Sequence, residues 1–401
     1  MTPLRAWQRL LAGEPNPGYL CDIGTSTVTG ISAFAAPALA DRVGFVGHPT
    51  LQNVALSAHD VEALGSDFAR AGFLFERPAV VGDRVRDEYG VEWLWEGHSL
   101  SPLNHPLTAA DLVRVARHPR PKWPGLVQFP EPHEGRDSIV IGDAPCAGLL
   151  EMSFLLRGRG RMLEDITDTW RVANMLLDWS LETVASGYEH YLTALPRCPE
   201  VILYGDDYGY SNSMFISPIE FRQFLVPRLR TLFARIRKTC NGAIAFHSCG
   251  AIGPILGDLS DLGVAALNIQ ADAKGMKLAD VRRVTPSTMI LHGYCDLAAL
   301  GNAVETGNKA DVALRTRELV ESSPAIAAPV DTVDSYPRFL NAARGASFVK
   351  ALTPDLIDQI EQSSRLIDAI EVPYQRSLST PPPLLDGSAP ESMYVDSHDT
   401  G

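Results

Sequence analysis

Short apolar runs alternate along this chain with longer amphipathic segments. Most runs hold four to six apolar residues and end in Gly, Asp, His or Cys, a pattern typical of parallel strands buried on both faces. The eight runs are YLCDIG (19–24), DFARAGF (67–73), SIVIGDAP (138–145), VILYGDD (201–207), GAIAFHSCG (242–250), AALNIQ (265–270), MILHGYCD (289–296) and AIAAPVD (325–331). They predict eight β-strands.

Helical periodicity follows most of these runs. It is clearest over residues 217–238, where Ser217 and Pro218 take the N-cap and N1 positions and apolar residues recur at helical spacing. Eight strands with alternating helices predict an α/β fold, a (β/α)₈ TIM barrel, with an open doubly wound sheet as the alternative. The first two units are irregular, so the count of eight depends most on them.

The barrel is expected to span residues 1–375, including an N-terminal extension. Residues 376–401 are expected to be a disordered tail, because they are rich in Pro, Ser, Gly and Asp and nearly free of periodic apolar residues. The stretch from 95 to 135 is dense in Pro, Gly and His, which indicates long irregular connections.

Charge and cysteine content narrow the class of protein. The net charge of −13 argues against a nucleic-acid or anionic-membrane partner. No window approaches the roughly 18 uninterrupted apolar residues of a membrane helix, and the N-terminus lacks the features of a secretory signal. Six scattered cysteines form no disulfide framework, so a cytoplasmic protein with reduced thiols is expected, and Cys198 and Cys240 receive no role.

The candidate chemistry lies where the predicted strands end, since a barrel of this kind carries its active site at that face. The sharpest signal is His247 and Cys249, two apart on one strand and therefore on one side of it. An imidazole and a thiolate together can bind Zn²⁺, which needs about three protein ligands. Cys295 is the predicted third ligand, and Glu151, His292 and Asp331 are its competitors. A buried His and Cys without metal are the structural alternative.

Five landmarks follow one another along the chain. They are CDIGTSTVTGIS, VEALGSDFARAG with RDEYGVEW and NHPL, GLLEMSFLLRGRGRMLEDI, YGDDYGYSNSMFISPIEFRQFLVPRLRTLF with FHSCGAIGPILGDLSDLGVAALNIQADAKGM, and LHGYCDLAALGNA. In this order they resemble the uroporphyrinogen decarboxylase superfamily, more specifically its branch of corrinoid and thiol methyltransferases. The resemblance covers about residues 15–350.

Two departures from the family pattern bear on the branch. Residues 15–35 contain no Arg or Lys. In the decarboxylase of the family that this chain resembles, the same region carries an arginine-rich segment that binds the propionates of the substrate. Decarboxylation of uroporphyrinogen is therefore not expected. The zinc methyltransferases carry a third ligand cysteine on the eighth strand, and here residues 323–333 offer only Asp331 as a donor.

The resemblance implies a zinc-dependent transfer of methyl between a corrinoid or methylated small molecule and an acceptor such as a thiol or tetrahydrofolate. It implies cobalamin as the methyl carrier. We expect the cobalamin on a separate partner protein, and a homodimer is compatible with the sequence. The predicted catalytic residues are Asp206, Asp207 and Tyr208, which would orient the substrate or carry protons. Of the two aspartates, Asp207 is favoured as the one that points into the site. The predicted substrate-binding residues are Asp22, Glu151, Gln270 and Asp331. The alternatives are a lyase acting on a small carboxylic acid and a non-catalytic corrinoid- or tetrapyrrole-binding protein.

Overall fold

All eight predicted strands are present in the computed structural model of the chain. The structure describes residues 2–14, 20–22, 25–29, 31–32, 45–46, 53–56, 61, 66–75, 84–95, 100–130, 137–292 and 325–327. The strands are β1 (Leu20–Asp22), β2 (Ile31–Ser32), β3 (Phe45–Val46), β4 (Asn53–Leu56), β5 (Phe68–Phe73), β6 (Arg84–Arg86), β7 (Glu92–Trp95), β8 (Leu100–Pro102), β9 (Val127–Gln128), β10 (Ile139–Gly142), β11 (Val201–Gly205), β12 (Ala243–Ser248), β13 (Ala266–Ile269), β14 (Ile290–Leu291) and β15 (Ala325–Ala327).

Six of the predicted strands form one parallel array in chain order, β5-β10-β11-β12-β13-β14, and β9 adds antiparallel to the β5 edge. The other two, β1 and β15, pair in parallel with each other, Leu20 opposite Ala325. A doubly wound sheet reverses its strand order at a switch point, and this array does not. The fold is therefore mixed α/β and TIM-barrel-like, although no hydrogen-bonded ladder among the described residues joins β1 and β15 to the array.

One apolar cluster lies on the inner side of these strands. It draws a buried residue or two from each of seven strands: Leu20, Phe68, Ile139, Ile141, Val201, Leu203, Ala245, Ala266 and Ile290. Helix α1 (Pro3–Leu11) adds Ala6, Trp7 and Leu10 to the same cluster. Because side chains alternate between the two sides of a strand, the positions two residues further on must also face inward, at the carboxyl ends.

The opposite side of the strands packs against helices. These are α2 (Leu112–Arg117), α3 (Leu149–Arg157), α4 (Arg159–Asp168), α5 (Trp170–Ala194), α6 (Pro218–Glu220), a π-helical turn (Phe221–Leu225), α7 (Val226–Thr239), a 3₁₀ turn (Gly253–Ile255), α8 (Leu256–Asp261) and α9 (Leu278–Val284). No helix in the described part of the chain combines the length and apolar content that crossing a bilayer requires.

The helix predicted over residues 217–238 is present but is interrupted by the π-helical turn. Ser217 is the N-cap, as predicted, and its side chain and that of Glu220 also form a capping box. Pro227 lacks an N–H and its ring crowds the carbonyl one turn earlier. The preceding residue, Val226, accordingly bonds to the carbonyl of Phe221, five residues back.

The expectation that all thiols are reduced is wrong for one pair: Cys198 and Cys240 form a disulfide. The register of the sheet explains the pairing. Val201 of β11 lies opposite Ala243 of β12, and each cysteine precedes its strand by the same three residues, so the two meet where the strands begin. Their Cα atoms are 5.5 Å apart, within the usual range for a disulfide.

Candidate metal centre at the strand ends

Strand register brings together three side chains that could bind a metal ion. His247 and Cys249 follow the inward-facing Ala245 at two-residue intervals. Gly205 of β11 lies opposite His247, so Asp207, two residues beyond Gly205, comes level with Cys249. The ligand atoms of Asp207, His247 and Cys249 all lie within 4.8 Å of one another.

The spacing of these atoms suits a tetrahedral metal. Cys249 Sγ is 3.7 Å from His247 Nε2, and His247 Nε2 is 3.6 Å from Asp207 Oδ1. A tetrahedral Zn²⁺ with bonds of about 2.0–2.3 Å separates its ligands by about 3.3–3.8 Å. The side chains of His247 and Asp207 are 23% and 15% exposed, so the site is sheltered and still open to a further ligand. The residues present fit zinc.

The backbone after β12 is held in a turn that presents Cys249. The Cys249 N–H donates to Asp207 Oδ1 at 2.6 Å, and the Gly250 N–H donates to Gln270 Oε1 at 2.9 Å. Gly250 has φ +91°, and a Cβ there would come within 2.2 Å of the carbonyl of Gly209. Only glycine fits this position without movement of the neighbouring loop. Gln270, predicted to bind substrate, here fixes the turn.

A buried polar network continues from the triad towards β1. His247 Nδ1 lies 2.6 Å from Asn268 Oδ1, and Asn268 Nδ2 donates to the carbonyl of His292 at 2.7 Å. His292 Nε2 lies 2.8 Å from Asp22 Oδ2. Asp22, fully buried, also accepts hydrogen bonds from the hydroxyls of Thr25 and Thr29. Asp22 was predicted to bind substrate, and in the structure its contact with His292 joins β1 to the residue after β14.

Asp206 and Tyr208, predicted to be catalytic, face the helices rather than the triad. Asp206 is fully buried and accepts hydrogen bonds from the backbone N–H groups of Leu150 and Glu151 and from the hydroxyls of Tyr204 and Tyr208. The carboxylate thus caps the start of α3. Burial raises the pKa of Asp206 to about 6, although its four hydrogen bonds act in the opposite direction.

Of the remaining predicted site residues, one lies in α3 and the others are not among the residues that the structure describes. Glu151 lies in the first turn of α3 and is half-buried. Cys295, the predicted third ligand, Asp331 and the tail 376–401 lie outside the described residues. Within the description, Asp207 is the third donor beside His247 and Cys249.

Two inward-facing polar residues, Asn268 and Arg70, were not predicted from the sequence. Asn268 lies two residues before Gln270 in AALNIQ, and Arg70 lies two residues after Phe68 in DFARAGF, so strand alternation alone places both inside. Arg70 Nε donates to Asp143 Oδ2 at 2.9 Å, with both side chains buried. Asp143 also accepts from the backbone N–H of Thr27, 3.1 Å away, which ties the segment after β1 to the array.

A cleft of about 590 Å³ opens beside the turn that follows Cys249. The loops after β11, β12 and β13 line it, with Met214, Phe215, Ala251, Lys274 and Arg283 among the lining residues. Its walls combine apolar side chains with charges of both signs, since Glu220 and Asp280 also line it. None of Asp207, His247 and Cys249 is among its lining residues, and the lining does not select one charge.

Comparison with known proteins supports the family resemblance. The family model of uroporphyrinogen decarboxylase (URO-D) matches residues 155–327, which include β11 to β13 and the triad. A methyltransferase from Methanosarcina mazei has a similar structure, with a TM-score of 0.55 and 17% sequence identity over 85% of this chain and 98% of the other. No curated protein sequence matches this chain significantly.

Proposed function

Since the chain belongs to the uroporphyrinogen decarboxylase superfamily and resembles its methyltransferase-like members, we propose that it is a zinc-dependent methyltransferase. The methyl group would move between a corrinoid or methylated small molecule and a thiol or similar acceptor. One observation carries the proposal: the donor atoms of Asp207, His247 and Cys249 converge at zinc-like spacing at the carboxyl ends of the strands.

Each residue of the centre has a separate task in this proposal. Cys249 and His247 supply the thiolate and imidazole that Zn²⁺ prefers, and Asp207 supplies the third donor among the described residues. Bound zinc would lower the pKa of an acceptor thiol so that it is present as the nucleophilic thiolate at neutral pH. The partly buried setting limits water around the acceptor, and fixed positioning of the reactants favours an aligned displacement.

We also infer that the eight strands close into a (β/α)₈ barrel around this centre. Two observations support closure between β14 and β1: His292 lies 2.8 Å from Asp22, and Ile290 and Leu20 belong to the same inner apolar cluster. A closed arrangement would place all the inward-facing polar residues in one mouth, as in other enzymes of this architecture.

The methyl carrier is proposed to be cobalamin bound to a separate protein. The alternative is that this chain itself binds cobalamin. Asp396, His398 and Gly401 have the Asp-x-His-x-x-Gly spacing of segments that hold base-off cobalamin. The absorption spectrum of the purified chain mixed with cobalamin decides between them. No spectral change supports the separate carrier. A base-off spectrum that is lost in His398→Ala would place the cofactor on this chain.

The direct test is transfer from free methylcobalamin to a simple thiol such as 2-mercaptoethanol. The Co–C bond breaks, the S–C bond forms, and the cobalt keeps the electron pair as cob(I)alamin, which is followed by anaerobic absorption spectroscopy. We expect zinc-loaded wild type to accelerate this reaction and Cys249→Ala to lose the acceleration. Equal rates for wild type, Cys249→Ala and buffer, with zinc present, would overturn the assignment.

A further inference from the structure

The side-chain amide of Asn268 determines which nitrogen of His247 carries the proton. Asn268 is buried, 3% exposed, on β13 between β12 and β14. One end of its amide lies 2.7 Å from the carbonyl oxygen of His292. A carbonyl can only accept, so this end must be the NH₂ group. The other end, 2.6 Å from His247 Nδ1, must therefore be the amide oxygen.

This orientation leaves His247 with one favourable tautomer. Because the Asn268 oxygen only accepts, Nδ1 of His247 must carry a hydrogen and donate it. Nε2 of the neutral ring then presents a lone pair, and Nε2 is the atom that lies 3.7 Å from Cys249 Sγ and 3.6 Å from Asp207 Oδ1. The lone pair thus faces the triad.

The amide of Asn268 is itself held in place from the far side. His292, 3% exposed, donates through Nε2 to the buried carboxylate of Asp22 at 2.8 Å. Its Nδ1 then carries a lone pair that faces Asn268 Nδ2, 3.4 Å away. Both polar atoms of His292 near Asn268 are acceptors. If the amide were flipped, its oxygen would face these two acceptors and its NH₂ group would face the N–H of His247, so the hydrogen bonds on both sides would be lost.

We propose that Asn268 is a positioning residue, which holds His247 as the Nδ1–H tautomer so that Nε2 can bind a divalent metal. Histidines that bind metals commonly donate their other N–H to an oxygen acceptor, and loss of that acceptor weakens metal binding about 10–100-fold. The inference rests on the metal centre of the proposed function, but the tautomer itself exists without metal and can be measured separately.

Two variants separate the role towards His247 from a general structural role. Asn268→Asp keeps an oxygen acceptor for His247 and loses the donor to His292, whereas Asn268→Leu has similar size and loses both. Both variants should therefore unfold at lower temperature than wild type. Only Asn268→Leu should also lose Zn²⁺ affinity, by about 10–100-fold in a competition titration, and Asn268→Asp should restore most of it.

The spectroscopic readout needs no metal. Nitrogen-15 shifts of labelled histidine in the metal-free protein, with His247 assigned from His247→Gln, should show the Nδ1–H tautomer in wild type and a mixture in Asn268→Leu. An Nε2–H tautomer in wild type, or equal zinc affinity in wild type and Asn268→Leu, would overturn the inference. If wild type shows the Nδ1–H tautomer but binds no zinc, only the proposed function is contradicted, and the assignment of the tautomer is still supported.

Discussion

At the scale of single residues, the adjacent Asp206 and Asp207 have different contacts, because successive side chains point to opposite sides of an extended chain. Asp206 points towards the helices and accepts four hydrogen bonds, two of them from the first turn of α3. Gly148, at the start of that helix, leaves room for it, since a Cβ there would lie 2.2 Å from the Cβ of Asp206. Asp207 points inward, to His247 and Cys249.

Asn substitutions at the two positions should therefore have separate effects. Asp206→Asn removes a buried negative acceptor and places an NH₂ among donors, which should lower the free energy of unfolding by about 3 kcal/mol. Asp207→Asn should change it by less than about 1 kcal/mol, because the amide oxygen can still accept from Cys249 N–H, but should weaken zinc binding. Urea denaturation and zinc titration of both variants measure this. The reverse pattern, with Asp206→Asn stable and poor in zinc, would contradict the assigned orientation.

The sequence marked His247, Cys249 and Asp207 because their chemistry is conspicuous at strand ends. It did not mark Asn268, because the last polar residue of the same run, Gln270, drew attention instead. It did not mark Arg70, because DFARAGF ends in apolar residues and offers no candidate at its end. Alternation along the strand was a sufficient signal for both. Which neighbours they meet depends on register between strands distant in sequence, and one chain read alone does not supply that register.

At the scale of elements, the turn after β12 is the part of the centre with the strictest steric demand. Gly250→Ala should lower the free energy of unfolding by about 2–4 kcal/mol, because a Cβ meets the Gly209 backbone and the positive φ is strained. Zinc affinity should fall as well, since the turn carries Cys249. Gly257→Ala in α8 is the matched control: its nearest new contact is 3.9 Å away, so it should be neutral or slightly stabilising. Equal behaviour of the two variants in thermal unfolding and zinc titration would refute this account of the turn.

The disulfide between Cys198 and Cys240 joins the approaches to β11 and β12 at the end of the sheet opposite the triad. Its loss, in Cys198→Ser/Cys240→Ser, should cost about 2–4 kcal/mol of unfolding free energy, as expected for a loop closed over 42 residues. Zinc binding should be unchanged. Urea denaturation with and without reductant measures the effect, and the double variant, which reductant cannot affect, is the control. If reductant leaves wild type as stable as before, the bond contributes nothing.

At the scale of the whole molecule, the parallel strands were predictable and the peripheral ones were not. Buried parallel strands are continuous apolar runs, so all eight could be read from the sequence. The antiparallel strands β6, β7 and β8 and the short β2, β3 and β4 lie outside that array. They carry mixed residues, as in RVR and EWLW, and all of them pair antiparallel in two separate three-stranded sheets.

The candidate metal centre depends on several distant parts of the chain. Its three candidate ligands lie on or just after two strands, and the residues that support them lie on three more. Asp207 follows β11, His247 and Cys249 belong to β12 and its turn, and Asn268, His292 and Asp22 extend the network across β13, β14 and β1. The inner apolar cluster lies beneath it and includes none of the three ligands. Removal of Cys249 should therefore empty the centre without unfolding the protein.

The measurement that tests the central claim most directly is the zinc content of wild type and Cys249→Ala, both purified without chelator, supplied with zinc and freed of excess metal. Elemental analysis by mass spectrometry should find about one zinc per wild-type chain and almost none in Cys249→Ala, and the two proteins should unfold at similar temperatures once both are stripped of metal. Wild type that retains no zinc, or a Cys249→Ala variant that retains as much as wild type, would contradict the metal centre and with it the proposed methyl transfer.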